Sequence, residues 1–460
     1  MRVTLLSFMF KPLVAVLLTT ALSAETLSET YREPASRLLG AALTDDEGWS
    51  KLEYLCDRIG HRLSGSAAYE RAVRWAAETL RRDGLAVQTP PVKIPVWVRG
   101  AESAEILEPE PRKLAMLGLG GSVGTPPDGI VAEVVAVSSF EQLEALGRER
   151  VQGRIVLYNV PFTGYGRVVM FRSAGASRAA GFGAVGMLLR SLGPVSLQTP
   201  HTGMLSYDPA QPKIPAAGIT LEAATMIQRL IDNGNTVRVR LKMEARTLPD
   251  ADSAQVVGEI RGAEKPEEIV VLGGHLDSWD VGQGAQDDGS GSVAAMQAVA
   301  LIKKLGLKPR RTIRVVLFAN EENGLAGAQA YKDWVGEAVK RHVAAIEMDG
   351  GAERPAGFGL GIAASAQGRA MERLRQIGRL LDGIGAGQMT VGGGGADIGP
   401  IMREGVPGLG LRTSGGRYME WHHTEADTLD KIDKQDFRQC VAALAVMAYV
   451  LADMPERLAD

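Results

Sequence analysis

Only two cysteines, Cys56 and Cys440, and six histidines occur in this chain of 460 residues. The cysteines lie at opposite ends of the sequence, which excludes the disulfide framework that staples small secreted domains; buried free thiols suit the pair as well as one bridge does. Basic residues hold no surplus either. The 51 lysines and arginines face 54 acidic residues, so no electrostatic footprint for nucleic acid exists. Long apolar runs are nearly missing. One ends in LVAVLLTTALSAETLSE near the N-terminus; another, VAALAVMAYVLA from Val441, spans twelve residues. That length fits a core helix and falls short of a bilayer. There is no internal repeat, and low complexity is confined to glycine-rich loops such as GGGG at 392–395.

What is present has ordinary globular proportions, 45% hydrophobic and 23% charged. The length is about three times that of a usual domain, which predicts two domains or one large domain with an insertion. Arg2 and Lys11 flank or interrupt the N-terminal apolar run, which leads to small residues near Ser23 and Ala24. This reads as a signal peptide over residues 1–23, and hence a secreted or periplasmic protein without a membrane span in its mature form. Its removal takes away two positive charges and changes the formal net charge from −3 to −5. The alternative is a buried N-terminal helix, against which the polar tail argues.

Helical spacing starts near Asp45 in DDEGWSKLEYLCDRIG, with Trp49, Leu52, Leu55 and Ile59 on one face. A second helix, SAAYERAVRWAAETLRRDG, ends at Gly84, and LAVQTPPVKIPVWV breaks into extended chain. From about Ile130 to Leu248 short strands and helices alternate and could close as a unit of their own. After Asp252 the strands become long and apolar: EEIVVLGGH, TIRVVLFAN and HVAAIEMD, separated by helices from Ser290 and Leu325. Such strands argue for an α/β fold whose parallel sheet is covered on both faces, with the last helix, from about Lys434 to Met454, packed on it.

Ligands of open parallel sheets bind beyond the carboxyl ends of the strands. Each long apolar strand ends in a metal-ligating type of residue: His275, then Glu321 and Glu322, then Asp349. Histidine with carboxylates suits zinc, and an excess of carboxylates favours two metals sharing a bridging group. Asp277, two residues on in extended chain, can face the same side as His275 and accept from its ring. The glycines of DVGQG let the chain turn and bring Asp287 back, just before a helix N-terminus near Ser290 that favours anions. A second histidine must come from elsewhere. His422-His423, beside Trp421, is the candidate; the isolated His61, His201 and His342 read as surface residues. GGSVG at 120–124 matches a serine-nucleophile pattern weakly, because in a chain of 55 glycines such matches arise by chance.

The segments GGHLDSWDVGQGAQDDGSG, FANEENGLAG, IEMDGG, GGGGADIGP and EWHHTEADTLDK, with LGLGGSVGTP before the middle region, resemble the secreted co-catalytic di-zinc peptidases, which include aminopeptidases and carboxypeptidases. The resemblance covers most of the mature chain. It implies a mixed, mostly parallel sheet flanked by helices, formed by 45–98 and 251–460, and a protease-associated domain inserted over 99–250. It also implies two zinc ions, His275 and Asp349 on one, Glu322 and His423 on the other, and Asp287 bridging them. Glu321 matches the general base, Asp277 the carboxylate behind the first histidine, and the bond between Asp287 and Asp288 is expected to be cis. The implied activity is hydrolysis of dipeptides or short peptides. An aminopeptidase or N-acyl amino acid hydrolase on the same scaffold is the alternative, as is an inactive receptor-like homologue. Members of the family dimerise, so a homodimer is an implication of the resemblance alone. Arg412, Arg417, Tyr418 and Trp279 lie near the ligands in sequence, and an arginine there could meet a substrate carboxylate.

Overall fold

A computed structural model describes residues 26–195 and 197–460; the leader expected over 1–23 lies outside them. Among the described residues, the larger of two eight-stranded sheets has the order Ala86–Gln88, Val256–Ile260, Arg311–Phe318, Lys265–His275, His342–Glu347, Gly408–Thr413, Pro355–Gly361, Gln388–Val391. Its four central strands, from Arg311–Phe318 to Gly408–Thr413, run parallel. Val256–Ile260 and Pro355–Gly361 pair antiparallel with their neighbours, so the sheet is mixed.

The near-continuous apolarity of the central strands has a simple cause. Side chains alternate across a strand, and here both sides are covered. Val270, Leu272, Ile313, Val315 and Leu317 enter one core with the helices Arg32–Leu43, Ala67–Arg82, Ser290–Lys304 and Lys434–Asp453. Ile269, Val271, Val316 and Phe318 enter another with Tyr331, Val339, Ile398 and Ile401. The helix Lys434–Asp453 is buried without a break from Cys440 to Ala452, as a helix apolar all round requires. Asp433 caps it, accepting from the amides of Gln435 and Asp436, a contact worth about 1 kcal/mol.

The second sheet, within 102–243, has the order Arg112–Leu114, Glu102–Glu108, Arg238–Met243, Ile130–Val137, Ile155–Tyr158, Gly186–Arg190, Ala216–Ile219, Met116–Gly118. The chain enters and leaves it along one antiparallel ribbon, Pro91–Val98 against Arg246–Ala254. The core of this layer also takes in Leu63 and Trp279 from the larger one.

Some local expectations change. The helix over 45–60 is α only for Glu47–Tyr54 and continues as a π turn, Leu55–Ile59, up to Gly60. The helix Phe140–Val151 is broken at Gly147, whose φ is 61°. Cys56 and Cys440 are buried, free thiols. Of the three histidines expected at the surface only His61 is exposed; His201 and His342 are buried, each held by hydrogen bonds at both ring nitrogens.

Candidate metal centre

The strands Arg311–Phe318, Lys265–His275 and His342–Glu347 are adjacent and parallel, so their carboxyl ends share one rim. Each end is shaped locally. After Phe318 the chain turns through Asn320, which is left-handed at φ 64°, a conformation asparagine tolerates better than most residues. Its side chain holds the turn, donating to Ser64 Oγ at 2.7 Å and Asn323 Oδ1 at 2.6 Å and accepting from the Ala326 amide at 3.2 Å. Glu321 and Glu322 therefore follow the strand directly, and their amides donate to the two oxygens of Asp277 at 3.2 and 3.3 Å. The expectation for Asp277 shifts accordingly. His275 Nδ1 lies 3.0 Å from the main-chain carbonyl of Asp277, while Asp277 Oδ1 stands 3.9 Å away. With Nδ1 donating to that carbonyl, the lone pair of Nε2 is free for a metal.

The loop from His275 to Asp288 is clamped from two sides. Arg62, fully buried, donates to the carbonyls of Leu276 at 2.6 Å, Gln283 at 2.8 Å and Gly284 at 2.9 Å. Asp427 accepts from the amides of Gln286 at 2.7 Å and Asp287 at 3.1 Å. Asp288 ties the loop to the strand, accepting from the amides of His275 and Gly291, and the Asp287–Asp288 bond is cis. Asp280 faces away, paired with Arg99 at 2.5 Å.

Two groups of side chains result. His275 Nε2 stands 3.2 Å from Asp287 Oδ1 and 3.5 Å from Asp349 Oδ1. His423 Nε2 stands 3.3 Å from Asp287 Oδ2 and 3.0 Å from Glu322 Oε2. Asp287 belongs to both. Each group offers one imidazole and two carboxylates within reach of a single ion. His275 Nε2, Asp287 Oδ2, Glu322 Oε1 and Asp349 Oδ1 are buried with no hydrogen-bond partner, although buried polar atoms are almost always satisfied. Burial drives both imidazoles toward neutrality, yet the facing carboxylates hold His275 and His423 well above the usual histidine range. Burial raises Asp349, Glu321 and Glu322, the last to about 7. At Asp287 the imidazoles outweigh burial and hold the carboxyl well below its ordinary value. Imidazole nitrogen with carboxylate oxygen is the donor set of zinc, and these residues fit it.

The family profile of peptidase family M28 matches residues 255–448, which carry this constellation. Carboxypeptidase Q from Bos taurus is 43% identical over 414 residues, covering 90% of this chain and 87% of its own; the Homo sapiens protein is 42% identical over the same shares. The chain belongs to peptidase family M28. The crystal structure of a peptidase M28 precursor from Shewanella amazonensis is 34% identical with a TM-score of 0.88, covering 94% of this chain and 98% of that one. A zinc aminopeptidase from Bacillus subtilis, 20% identical, shares the fold at a TM-score of 0.68, covering 90% and 96%.

Other parts of this M28 peptidase were hidden in its sequence. His201 Nδ1 lies 3.0 Å from the His422 carbonyl, and the two segments form a β-bridge at His201 and Thr424. His201, His422 and His423 also come within reach of one ion. Arg172 already occupies that space, with Nη1 3.1 Å from His201 Nε2 and 3.2 Å from His423 Nδ1. Asp397 of GGGGADIGP is buried in the same region; burial and then the charge of Glu347 raise its carboxyl well above the ordinary value. Trp279 packs near His423, ring centroids 5.6 Å apart, and Tyr418 near His422 at 5.1 Å. Arg417 pairs with Glu420 and covers the Trp421 ring, and Arg412 is exposed. Ser122 of GGSVG is buried in the second layer, where its hydroxyl accepts from the Ala216 amide and donates to the Val123 carbonyl.

Proposed function

We propose that this peptidase is a zinc-dependent exopeptidase that hydrolyses dipeptides or short peptides. The observation that carries the reading is the pair of ligand groups sharing Asp287. His275 and Asp349 would hold one zinc, Glu322 and His423 the other, and Asp287 both. Bound there, zinc supplies Lewis acidity that polarises the scissile carbonyl and lowers the pKa of water toward neutrality. Glu321 is the general base. It follows the same strand as Glu322, has no assigned ligand role, and stands where Asp277 fixes the main chain of both glutamates. As water oxygen adds to the carbonyl carbon, Glu321 takes its proton; as the C–N bond breaks, Glu321 returns that proton to the leaving amine. Asp277, Arg62 and Asp427 hold the loops that carry these groups.

Residues 99–250 are read as a protease-associated domain inserted into the peptidase layer. The return of the chain along one ribbon supports this. Residues 1–23, read from their sequence as a signal peptide, support secretion or a periplasmic location as part of this proposal.

The test combines metal removal with one substitution. A chelator is expected to abolish hydrolysis of unsubstituted dipeptides, and added zinc to restore it. Glu321→Gln is expected to retain the zinc content of the wild type and to lose about 10²- to 10⁴-fold in kcat. Full activity in metal-free protein, or near wild-type turnover in the glutamine variant, sinks the assignment.

A further inference from the structure

The outer face of the helix Ala67–Arg82 carries charge that the metal centre does not use. Its inner face, with Ala72, Val73, Ala76, Ala77 and Leu80, is buried. At 3.6 residues per turn, Arg71, Arg74, Trp75, Glu78 and Arg82 fall together on the opposite side, a row of about 16 Å from first to last. The helix Glu47–Tyr54 and its π turn face that row and bring Tyr54 and Arg58 to it. Between the two walls lies a groove of about 590 Å³, within the range of ~300–1,000 Å³ usual for small-ligand sites.

The charges of this groove are unbalanced. Lys51 and Asp83 neutralise one another at 2.7 Å, and Arg82 donates to Thr79 Oγ1 at 2.8 Å. Arg58, Arg71 and Arg74 have neither a hydrogen bond nor an ion pair among the described residues. Nearby acids are engaged elsewhere: Glu47 with Lys304, Glu53 with the Trp49 indole, Asp57 with Gln283 and Glu70 with Ser253. Four guanidiniums therefore face one unpaired carboxylate, Glu78, in a chain whose formal net charge is −3. Like charges gathered in a cleft focus its field on an anion. Beside them Tyr54 and Trp75 stack on one another, ring centroids 5.8 Å apart and planes at 10°. Tyr54 is 47% exposed, so the pair offers one flat aromatic surface next to the arginines.

These two features together narrow the ligand. The planar fork of arginine suits the oxygens of a phosphate, and an aromatic face suits a flat ring. A bare phosphate leaves the rings unused. An extended acidic peptide needs main-chain partners such as a sheet edge supplies, whereas both walls are helices whose main chain is already bonded. A long single strand of nucleic acid needs one aromatic platform for each base. Here two rings make a single platform.

We propose that this groove binds a nucleoside polyphosphate, its base on the Tyr54–Trp75 pair and its phosphates among Arg58, Arg71 and Arg74. The site shares no residue with the metal centre and does not depend on the peptidase reading.

The test is titration calorimetry with adenosine diphosphate, pyrophosphate and adenosine on zinc-loaded wild type, Arg71→Gln/Arg74→Gln, Arg58→Gln and Tyr54→Ala, with retained zinc measured alongside. Wild type is expected to bind the diphosphate more than about fivefold more tightly than either fragment, the gain of stacking added to phosphate contacts, and to weaken as salt rises. The double glutamine variant is expected to lose about 10- to 100-fold in affinity, the loss of charge-assisted hydrogen bonds. Tyr54→Ala is expected to lose about fivefold or more on the nucleotide while changing pyrophosphate less than about twofold. Dipeptide hydrolysis stays at the wild-type rate in all three variants. Diphosphate binding that survives the arginine substitutions would place the anion at the metals and overturn the proposal. Equal affinity for nucleotide and pyrophosphate, or no binding of either, would also overturn it, as would tighter binding of a polyglutamate peptide or a single-stranded oligonucleotide. If the double variant does not fold, Arg58→Gln on the opposite wall decides: unchanged affinity there refutes the site.

Discussion

At Nε2 of His342 the Tyr331 hydroxyl approaches to 2.8 Å, and at Nδ1 the Ala338 carbonyl to 3.0 Å, which satisfies a neutral ring with its proton on Nδ1. A second proton has no acceptor waiting, because the Tyr331 oxygen already accepts from Arg314 at 2.8 Å. Burial, reinforced by the charge of Arg314 and opposed by the Ala338 carbonyl, lowers His342 to about 4. In the unfolded chain it titrates near 6.5. Between these values the unfolded state binds the extra proton, so stability rises with pH in this window and is lost as pH falls from about 6.5 to about 4. The loss is of the order of 3 kcal/mol. Urea midpoints at pH 7 and pH 4.5 are expected to separate further in wild type than in His342→Gln; equal separation refutes the assignment. His201 shows why such residues escape a sequence reading. Nothing beside it in the chain sets it apart from His61, and only the β-bridge to Thr424 buries it against the metal centre. Arg172 is 251 residues from the histidine it touches, a distance no local pattern reports.

Elements explain what was legible. The three apolar strands that end in His275, the glutamate pair and Asp349 announce themselves, because two-sided burial makes most of their central positions apolar before the chain emerges at the rim. The strands Pro355–Gly361 and Gly408–Thr413 do not. Their sequences, PAGFGLG and GLGLRT, are glycine-rich and poor in β-branched residues, so their pairing is set by neighbours rather than propensity. Gly357 shows the constraint, since a Cβ there would lie 1.8 Å from the Gln388 carbonyl oxygen. Arg62 was equally silent. It reads as one more charge at a helix end, yet it holds the loop that carries His275 and Asp287. Arg62→Met leaves the carbonyls of Leu276, Gln283 and Gly284 without their donor in a buried site. The expected result is a lower melting temperature and zinc affinity reduced about 10- to 100-fold, as when a support of a ligand is removed. Competition with a zinc-binding dye measures this, and wild-type affinity in the variant would remove Arg62 from the metal-site machinery.

The whole molecule depends on how its two layers meet. Arg99 bridges them, donating to Asp280, Glu102, the Gly118 carbonyl and Thr202. A second contact is apolar. Trp279, in the loop between His275 and Asp287, is 2% exposed, and a Cβ on Gly120 would lie 2.0 Å from its ring. Gly120 has no positive φ, so alanine is conformationally acceptable there and only space forbids it. Overfilling such a contact costs about 1–3 kcal/mol. Here the strain falls on the indole, and through its loop on His275, Asp287 and the neighbouring His423. Gly120→Ala is therefore expected to keep the secondary structure but lose more than about tenfold in kcat/KM, with a lowered melting temperature. Trp279→Phe, with a smaller ring, makes the missing space. The double variant Gly120→Ala/Trp279→Phe is expected to exceed the activity of Gly120→Ala, a coupling of opposite sign to simple addition. If instead the two losses add, Gly120 acts on some other contact, and the layers do not communicate through Trp279.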